Sequence, residues 1–136
     1  MFRLSPFALF LIFVSVSCNV STTTTTTISN GDSVSNINGT GTGDVAGVDI
    51  EVQNLSKHNS GVTHSVRISE TPSGAEQAET WDIKFGEVSV VMDREGNEAI
   101  ELTVDGQRYG SLKEGDKLLI DADRNVIVND VQRNAE

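Results

Sequence analysis

The chain is short of cysteine, aromatic rings, positive charge and long apolar runs, and each shortage removes a class of explanation. Among its 136 residues there is a single cysteine, Cys18, so no intrachain disulfide can staple the fold. Its longest strongly apolar run, from Phe7 to Val14, falls far below the roughly 20 residues that span a bilayer as a helix. Lys and Arg number 10 against 20 Asp and Glu, for a formal net charge of −10. Such a surface repels phosphate backbones, and no basic patch with interleaved aromatics offsets it, so nucleic acid is not an expected partner. No Gly-x-Ser-x-Gly elbow is present, so hydrolysis by that device is not expected.

The amino terminus, in contrast, is rich in signal. Met1-Phe2-Arg3 is followed by the apolar run and then by Ser15-Val16-Ser17-Cys18. A basic start, a short greasy stretch and small residues before a cut make a secretory leader, here residues 1–17. The run Val14-Ser15-Val16-Ser17-Cys18 resembles the lipobox of bacterial lipoproteins, with Ser15 where that family usually has leucine. The resemblance covers the leader alone. It implies that Cys18 receives diacylglycerol and anchors the mature chain to a membrane. Asn19, rather than Asp, after the cysteine implies the outer membrane. Ser15-x-Ser17 also satisfies ordinary signal cleavage at the same bond, which would leave a soluble periplasmic or secreted protein. Lipidation explains the lone cysteine better, because a free thiol at an exported amino terminus is an exposed liability.

Residues 18–44 read as a lipidated cysteine followed by a disordered tether. Ser21 is followed by the six threonines Thr22–Thr27, and Ser, Asn, Gly and Thr dominate as far as Asp44. So little apolar surface does not offset the entropy of ordering the backbone. As a random coil the tether would average roughly 25–30 Å end to end, holding a folded head clear of a membrane.

From Val45 to the end, residues 45–136, the apolar period is two, as in half-buried strands. Val48, Ile50 and Val52 alternate with Asp49, Glu51 and Gln53. The same pattern runs through Val62–Ile68, Trp81–Phe85, Val88–Met92, Ile100–Val104, Leu118–Ile120 and Val126–Val128. Ala75–Thr80 offers one helical turn at most. Asp105-Gly106 predicts a two-residue hairpin that sets Val104 opposite Gln107 and Leu102 opposite Tyr109. The expected fold is all-β: a small antiparallel sandwich or barrel of about six to eight short strands.

Several constellations merit a chemical reading. His58 and His64 flank Asn59-Ser60-Gly61, and a turn there would bring two imidazoles together, still too few for a zinc or copper site. Asp121-Ala122-Asp123-Arg124-Asn125 begins like a calcium loop, but Val126 stands where the loop needs glycine and Gln132 where it needs glutamate. An acidic β-turn is the better reading. Gly39-Thr40-Gly41-Thr42-Gly43 has the glycine spacing of a phosphate cradle without the following Lys-Ser or Lys-Thr, and falls in the expected tether. Glu87, Asp93, Glu101, Asp105 and Asp121 lie on polar phases or in turns, as a solvated acidic face. Trp81 and Phe85 share the parity of Ile83, which points to core packing before ligand recognition, and Tyr109 is the third ring of the head.

No catalytic, cofactor or metal site is therefore expected. The sequence points to an exported protein attached to membrane through lipid on Cys18, whose acidic β-head binds or scaffolds a protein partner in the cell envelope. The alternative is an accessory subunit of a larger periplasmic or cell-surface assembly, joined through an edge strand. A small periplasmic hydrolase ranks below both.

Overall fold

A computed structural model describes residues 21–24 and 32–136, and everything structural below refers to these. The leader and Cys18 lie outside them. The described chain is built from strands and turns with no helix. In chain order the strands are β1 (Ser21–Thr24), β2 (Ser33–Ile37), β3 (Thr40–Val45), β4 (Val48–Val52), β5 (Ser60–Thr71) and β6 (Gly74–Phe85). They continue with β7 (Val88–Glu95), β8 (Ile100–Val104), β9 (Gln107–Leu112), β10 (Lys117–Ile120), β11 (Val126–Val128) and β12 (Val131–Arg133).

They form two six-stranded sheets, ordered β1-β5-β6-β7-β8-β9 and β12-β11-β10-β4-β3-β2. Every pairing is antiparallel except that of β10 with β4, where Leu118 lies beside Ile50 and Ile120 beside Val52. A parallel pair needs a crossover connection. Here the crossover is the whole β5–β9 meander, which constitutes the body of the other sheet.

The alternation read from the sequence is what fills the space between the sheets. β6 contributes Trp81, Ile83 and Phe85, β7 Val88, Val90 and Met92, and β8 Ile100, Leu102 and Val104. Facing them are Val48, Ile50 and Val52 of β4, Leu118 and Ile120 of β10, and Val126 and Val128 of β11. All are buried and form one cluster, while their alternate neighbours along each strand point to the outer faces and are half-buried or exposed.

The two sheets do not close into a barrel; they make a sandwich whose seams are pinned by single side chains. At one seam the Asn36 amide donates to the carbonyls of Lys57 (2.7 Å) and Asn59 (3.3 Å). At the other, Arg133 Nη1 donates to the carbonyls of Tyr109 (3.0 Å) and Ser111 (2.7 Å), and the Glu136 N–H donates to Arg108 O (3.0 Å).

Two sequence expectations need correction. Strands outnumber the six to eight anticipated, because β1, β2, β3 and β12 were not anticipated, and β6 begins at Gly74 rather than Trp81. More consequentially, the tether boundary at residue 44 is too late: β2 and β3 are integral strands of the second sheet, and the backbone of Ser21–Thr24 also lies as a strand against β5. The reason is visible at Gly41 and Gly43. A Cβ on Gly41 would overlap the Phe85 ring, and one on Gly43 would sit 2.9 Å from the Ser33 carbonyl and 3.3 Å from Phe85 Cζ. The fully buried Phe85 thus supplies from the opposite sheet the apolar surface that β3 lacks.

Four of the two-residue hairpins share one geometry. Asn38-Gly39, Ala46-Gly47, Asp105-Gly106 and Asn129-Asp130 each place both loop residues at positive φ, as a type I′ turn requires. The Asp105-Gly106 turn sets Val104 opposite Gln107 as expected. A bulge then intervenes between Glu101 and Thr103, with Gly110 at φ +79, so Tyr109 and Gly110 together face Leu102.

The Phe85–Gly41 contact yields a test by double-mutant cycle. Phe85→Ala should lose about 3–5 kcal/mol in chemical denaturation. Gly41→Val should lose about 1–3 kcal/mol by overpacking, although removing glycine from a strand ordinarily stabilises it. The double variant should lose clearly less than the sum, because the new side chain fills the space the ring vacates. Strict additivity would show that the ring does not fill the glycine face.

Candidate functional site

The sheets differ in length, and the difference exposes the most distinctive surface of the head. β5 and β6 pair over their full lengths, from Ser60 opposite Phe85 to Thr71 opposite Gly74. β7 accompanies β6 only between Ala78 and Phe85, with one further bond from the Gly96 N–H to Gln77 O at 2.7 Å. Beyond that point the β5–β6 hairpin continues as a ribbon toward a Pro72-Ser73 turn, closed by the Thr71 hydroxyl donating to Gly74 O at 2.8 Å. β1 flanks β5 only as far as Ser69, and the two-stranded ribbon beyond it is marginal in water, so the base of this arm must be held firmly.

His64, Trp81, Glu79 and Arg94 hold it. All four lie on the core-facing parity of β5, β6 and β7, where His64 pairs with Trp81, Trp81 with Met92, and Glu79 with Arg94. The His64 ring stacks on Trp81 with centroids 4.7 Å apart and planes 7° from parallel. The Arg94 guanidinium carbon lies 5.3 Å from the Trp81 ring centroid, within cation–π reach. Arg94 donates to Glu79 Oε2 through Nε at 3.0 Å and through Nη2 as well.

The other Glu79 oxygen, Oε1, stands 3.3 Å from His64 Nε2. That distance is within ion-pair reach but its direction is not that of a hydrogen bond, so both ring nitrogens are buried without a hydrogen-bond partner. The arrangement closes the end of the core where the second sheet stops: aromatic surface below, an ion pair above. Among the described residues it offers no open coordination site, since no group of three or more His, Asp or Glu side chains gathers there or elsewhere.

The anticipated sites fall into place around this. His58 and His64 are not brought together, which corrects the turn expected between them: β5 already begins at Ser60, so the chain from Ser60 to His64 is extended, about 13 Å long. His58 stays exposed in the preceding loop, while His64 is buried on Trp81. Trp81 and Phe85 are core residues, and Tyr109 packs half-buried against the core. The Gly39–Gly43 stretch is the β2–β3 hairpin described above, with Gly41 and Gly43 turned to Phe85.

The carboxylates are spread over separate structural tasks. Asp121 accepts from the N–H groups of Asp123 and Asn125, both at 2.9 Å, and from the Asn125 amide at 3.0 Å, which makes the calcium-like segment an acidic turn. Asp93 accepts from the Thr80 hydroxyl at 2.6 Å, Glu101 from Arg108 at 2.7 Å and Asp105 from the Ser89 N–H at 2.9 Å. Glu87 accepts from the N–H groups of Ser56 (3.0 Å) and Lys57 (3.3 Å) and from Arg124 Nη2 (2.9 Å). Arg124 in turn donates to Gln53 O and Asn54 O, so one ion pair ties three loops together.

The residues that sequence reasoning did not single out are Arg67, Ile68, Glu79 and Arg94. On β5 beyond His64, Val66 is half-buried, Ile68 is 50% exposed and Arg67 points to the opposite, exposed face. The signal available was the length of the Val62–Ile68 alternation, which continues past its last buried partner. No family model, no curated protein and no solved structure matches this chain.

The Glu87 clamp predicts an acid limb in the stability curve. Backbone N–H donation, first from Ser56, holds the Glu87 carboxyl down from an ordinary value of 4.5 to about 2. Asp121 and Asp116 are lowered too, chiefly by the amides of Asn125 and Asn129. A depressed folded-state value means the stabilisation is complete above the unfolded value and is lost as pH falls through the folded one. Thermal midpoints should therefore fall between pH 4.5 and about 2. Glu87→Gln should start lower at neutral pH and show a flatter limb; a limb of unchanged steepness would remove Glu87 as its source.

Proposed function

We propose that this is an exported, lipid-anchored protein of the cell envelope, favouring the outer membrane, whose acidic β-head binds or scaffolds a protein partner without catalysing a reaction. The attachment half of this reading rests on the leader of residues 1–17 ending at the lone Cys18. The binding half rests on one observation, the β5–β6 arm, which extends past the second sheet and carries exposed side chains on both faces. Core demands do not account for that extension, since Arg67, Ile68 and Glu70 are exposed. Loops and edges displayed on a rigid scaffold are where recognition ordinarily sits.

The acidic balance supports a protein partner over nucleic acid. A second reading, an accessory subunit built into a larger envelope assembly, is favoured by the same arm if its β5 edge is permanently paired rather than transiently engaged.

Metabolic labelling with a fatty-acid probe tests the anchor. The native chain should incorporate the label and partition with membranes, and Cys18→Ala should do neither. Equal labelling of the two would remove the lipid and leave a soluble exported protein.

A further inference from the structure

We propose that the outer edge of β5, over Val66–Ser69, docks an extended strand of a protein partner that carries apolar side chains opposite Val66 and Ile68 and a carboxylate opposite Arg67. This rests on the protein-binding reading of the head and names the chemistry of what is bound.

Three independent features converge on this edge. The first is that it already accepts a strand: Ser21–Thr24 pairs antiparallel with it, Thr22 opposite Ile68, Thr23 opposite Arg67 and Thr24 opposite Val66. Backbone geometry at this position therefore admits an added antiparallel strand, and the edge presents unpaired N–H and C=O groups wherever it is vacated. The second is that the cover is weakly specified. Thr22–Thr27 is one residue type repeated, so sliding the run by a residue leaves the same residue type opposite most positions. Register is strongly fixed only when distinct side chains meet distinct environments, so such a run is a replaceable cover.

The third is the chemistry that β5 presents. Of the arginines in the described residues, Arg94 is paired with Glu79, Arg108 with Glu101 and Arg124 with Glu87, while Arg133 donates to backbone carbonyls. Arg67 alone has no ion pair or side-chain hydrogen bond among the described residues, in a protein with twice as many acids as bases. It is flanked on the other face by the half-buried Val66 and the half-exposed Ile68. Directly opposed residues on adjacent strands are the ones that interact, so an apolar-acidic-apolar triplet complements Val66, Arg67 and Ile68 in an antiparallel register.

Displacement by such a strand is strand addition to a sheet edge, in which main-chain bonds supply affinity and alternate side chains supply specificity. The arm base formed by His64, Trp81, Glu79 and Arg94 keeps β5 rigid up to the docking residues, so the partner meets a preformed edge.

The test uses the full purified chain and two fluorescein-labelled peptides, Gly-Ser-Thr-Val-Glu-Val-Thr-Ser-Gly and its counterpart with lysine at the centre, read by anisotropy. The glutamate peptide should bind about tenfold or more tightly than the lysine peptide. Arg67→Glu should reverse that preference, and Arg67→Gln should abolish it without reversal, which keeps the test usable if the first variant folds poorly. Thr23→Pro removes a backbone donor from the cover strand and should tighten glutamate-peptide binding. The proposal is overturned by equal affinity for both peptides, by a preference that survives Arg67→Glu, or by no binding to Thr23→Pro. A concentration-dependent dimer that Thr23→Pro dissolves would also overturn it, assigning the edge to a second copy. Failure here with Cys18 still labelled by fatty acid removes the strand-docking chemistry and leaves the anchor. Loss of labelling with peptide binding intact does the reverse.

Discussion

The structure depends on one pairing, the parallel ladder between β4 and β10. β2–β4 and β10–β12 belong to the same sheet, yet strands of the two groups pair only there, with Leu118 beside Ile50 and Ile120 beside Val52. The ladder is extended at both ends by backbone bonds, from the Asp49 N–H to Asp116 O at 3.0 Å and from the Gln53 N–H to Ile120 O at 2.9 Å. Closing it brings together segments separated by the whole β5–β9 meander, an entropic cost that neither hairpin stack offsets alone. The meander itself supplies the apolar face over which the ladder closes. The two sheets are therefore interdependent, and the slow step of folding is expected to be this long-range closure rather than any local hairpin.

That interdependence explains the density of turn chemistry at both poles of the sandwich. Short strands leave many chain reversals, and each reversal has backbone N–H groups needing acceptors. Carboxylates provide them: Asp32 accepts from the Ala46 N–H, Asp105 from the Ser89 N–H, Asp116 from the Lys113 N–H and Glu87 from two successive N–H groups. The negative charge that looks like a generic acidic surface is in part a set of fastened loops. Its consequence for function is a division of labour, with poles locked by caps and the arm left to project.

The sequence was most legible where one strand carries its own pattern. β4 and β8 bury each alternate residue, and their boundaries follow from alternation alone. It was least legible where the apolar partner comes from elsewhere. β3 reads Thr-Gly-Thr-Gly-Asp-Val, a composition suited to a tether, and becomes a strand because Phe85 of β6 lies across its glycines. Asn38-Gly39 is as strong a hairpin signal as Asp105-Gly106, and both adopt positive φ. Only the second was flanked by apolar alternation, so only the second was readable. His64 illustrates the same limit at the arm. It shares the parity of Val62 and Val66, but its stacking on Trp81 and the Glu79–Arg94 pair above it depend on cross-strand register.

Edge strands carry the last step of the synthesis, because a sandwich with open seams must manage four of them. Three are blunted by the head itself. The Asn36 amide reaches from β2 across the seam to the carbonyls of Lys57 and Asn59. On the far side, β9 and β12 are bridged by Arg133 and by the Glu136 N–H. On the remaining side, β5 beyond His64 is covered by β1, a Ser-Thr-Thr-Thr segment that is itself the outermost strand of that sheet. Natural sheets guard their edges with charge, bulges or covering loops chosen for the site. A cover of one repeated residue differs from all of these, since it blocks the edge without specifying what sits there. An edge that is satisfied but unspecific, on a ribbon that outruns its core, has the physical character of a surface kept available for exchange.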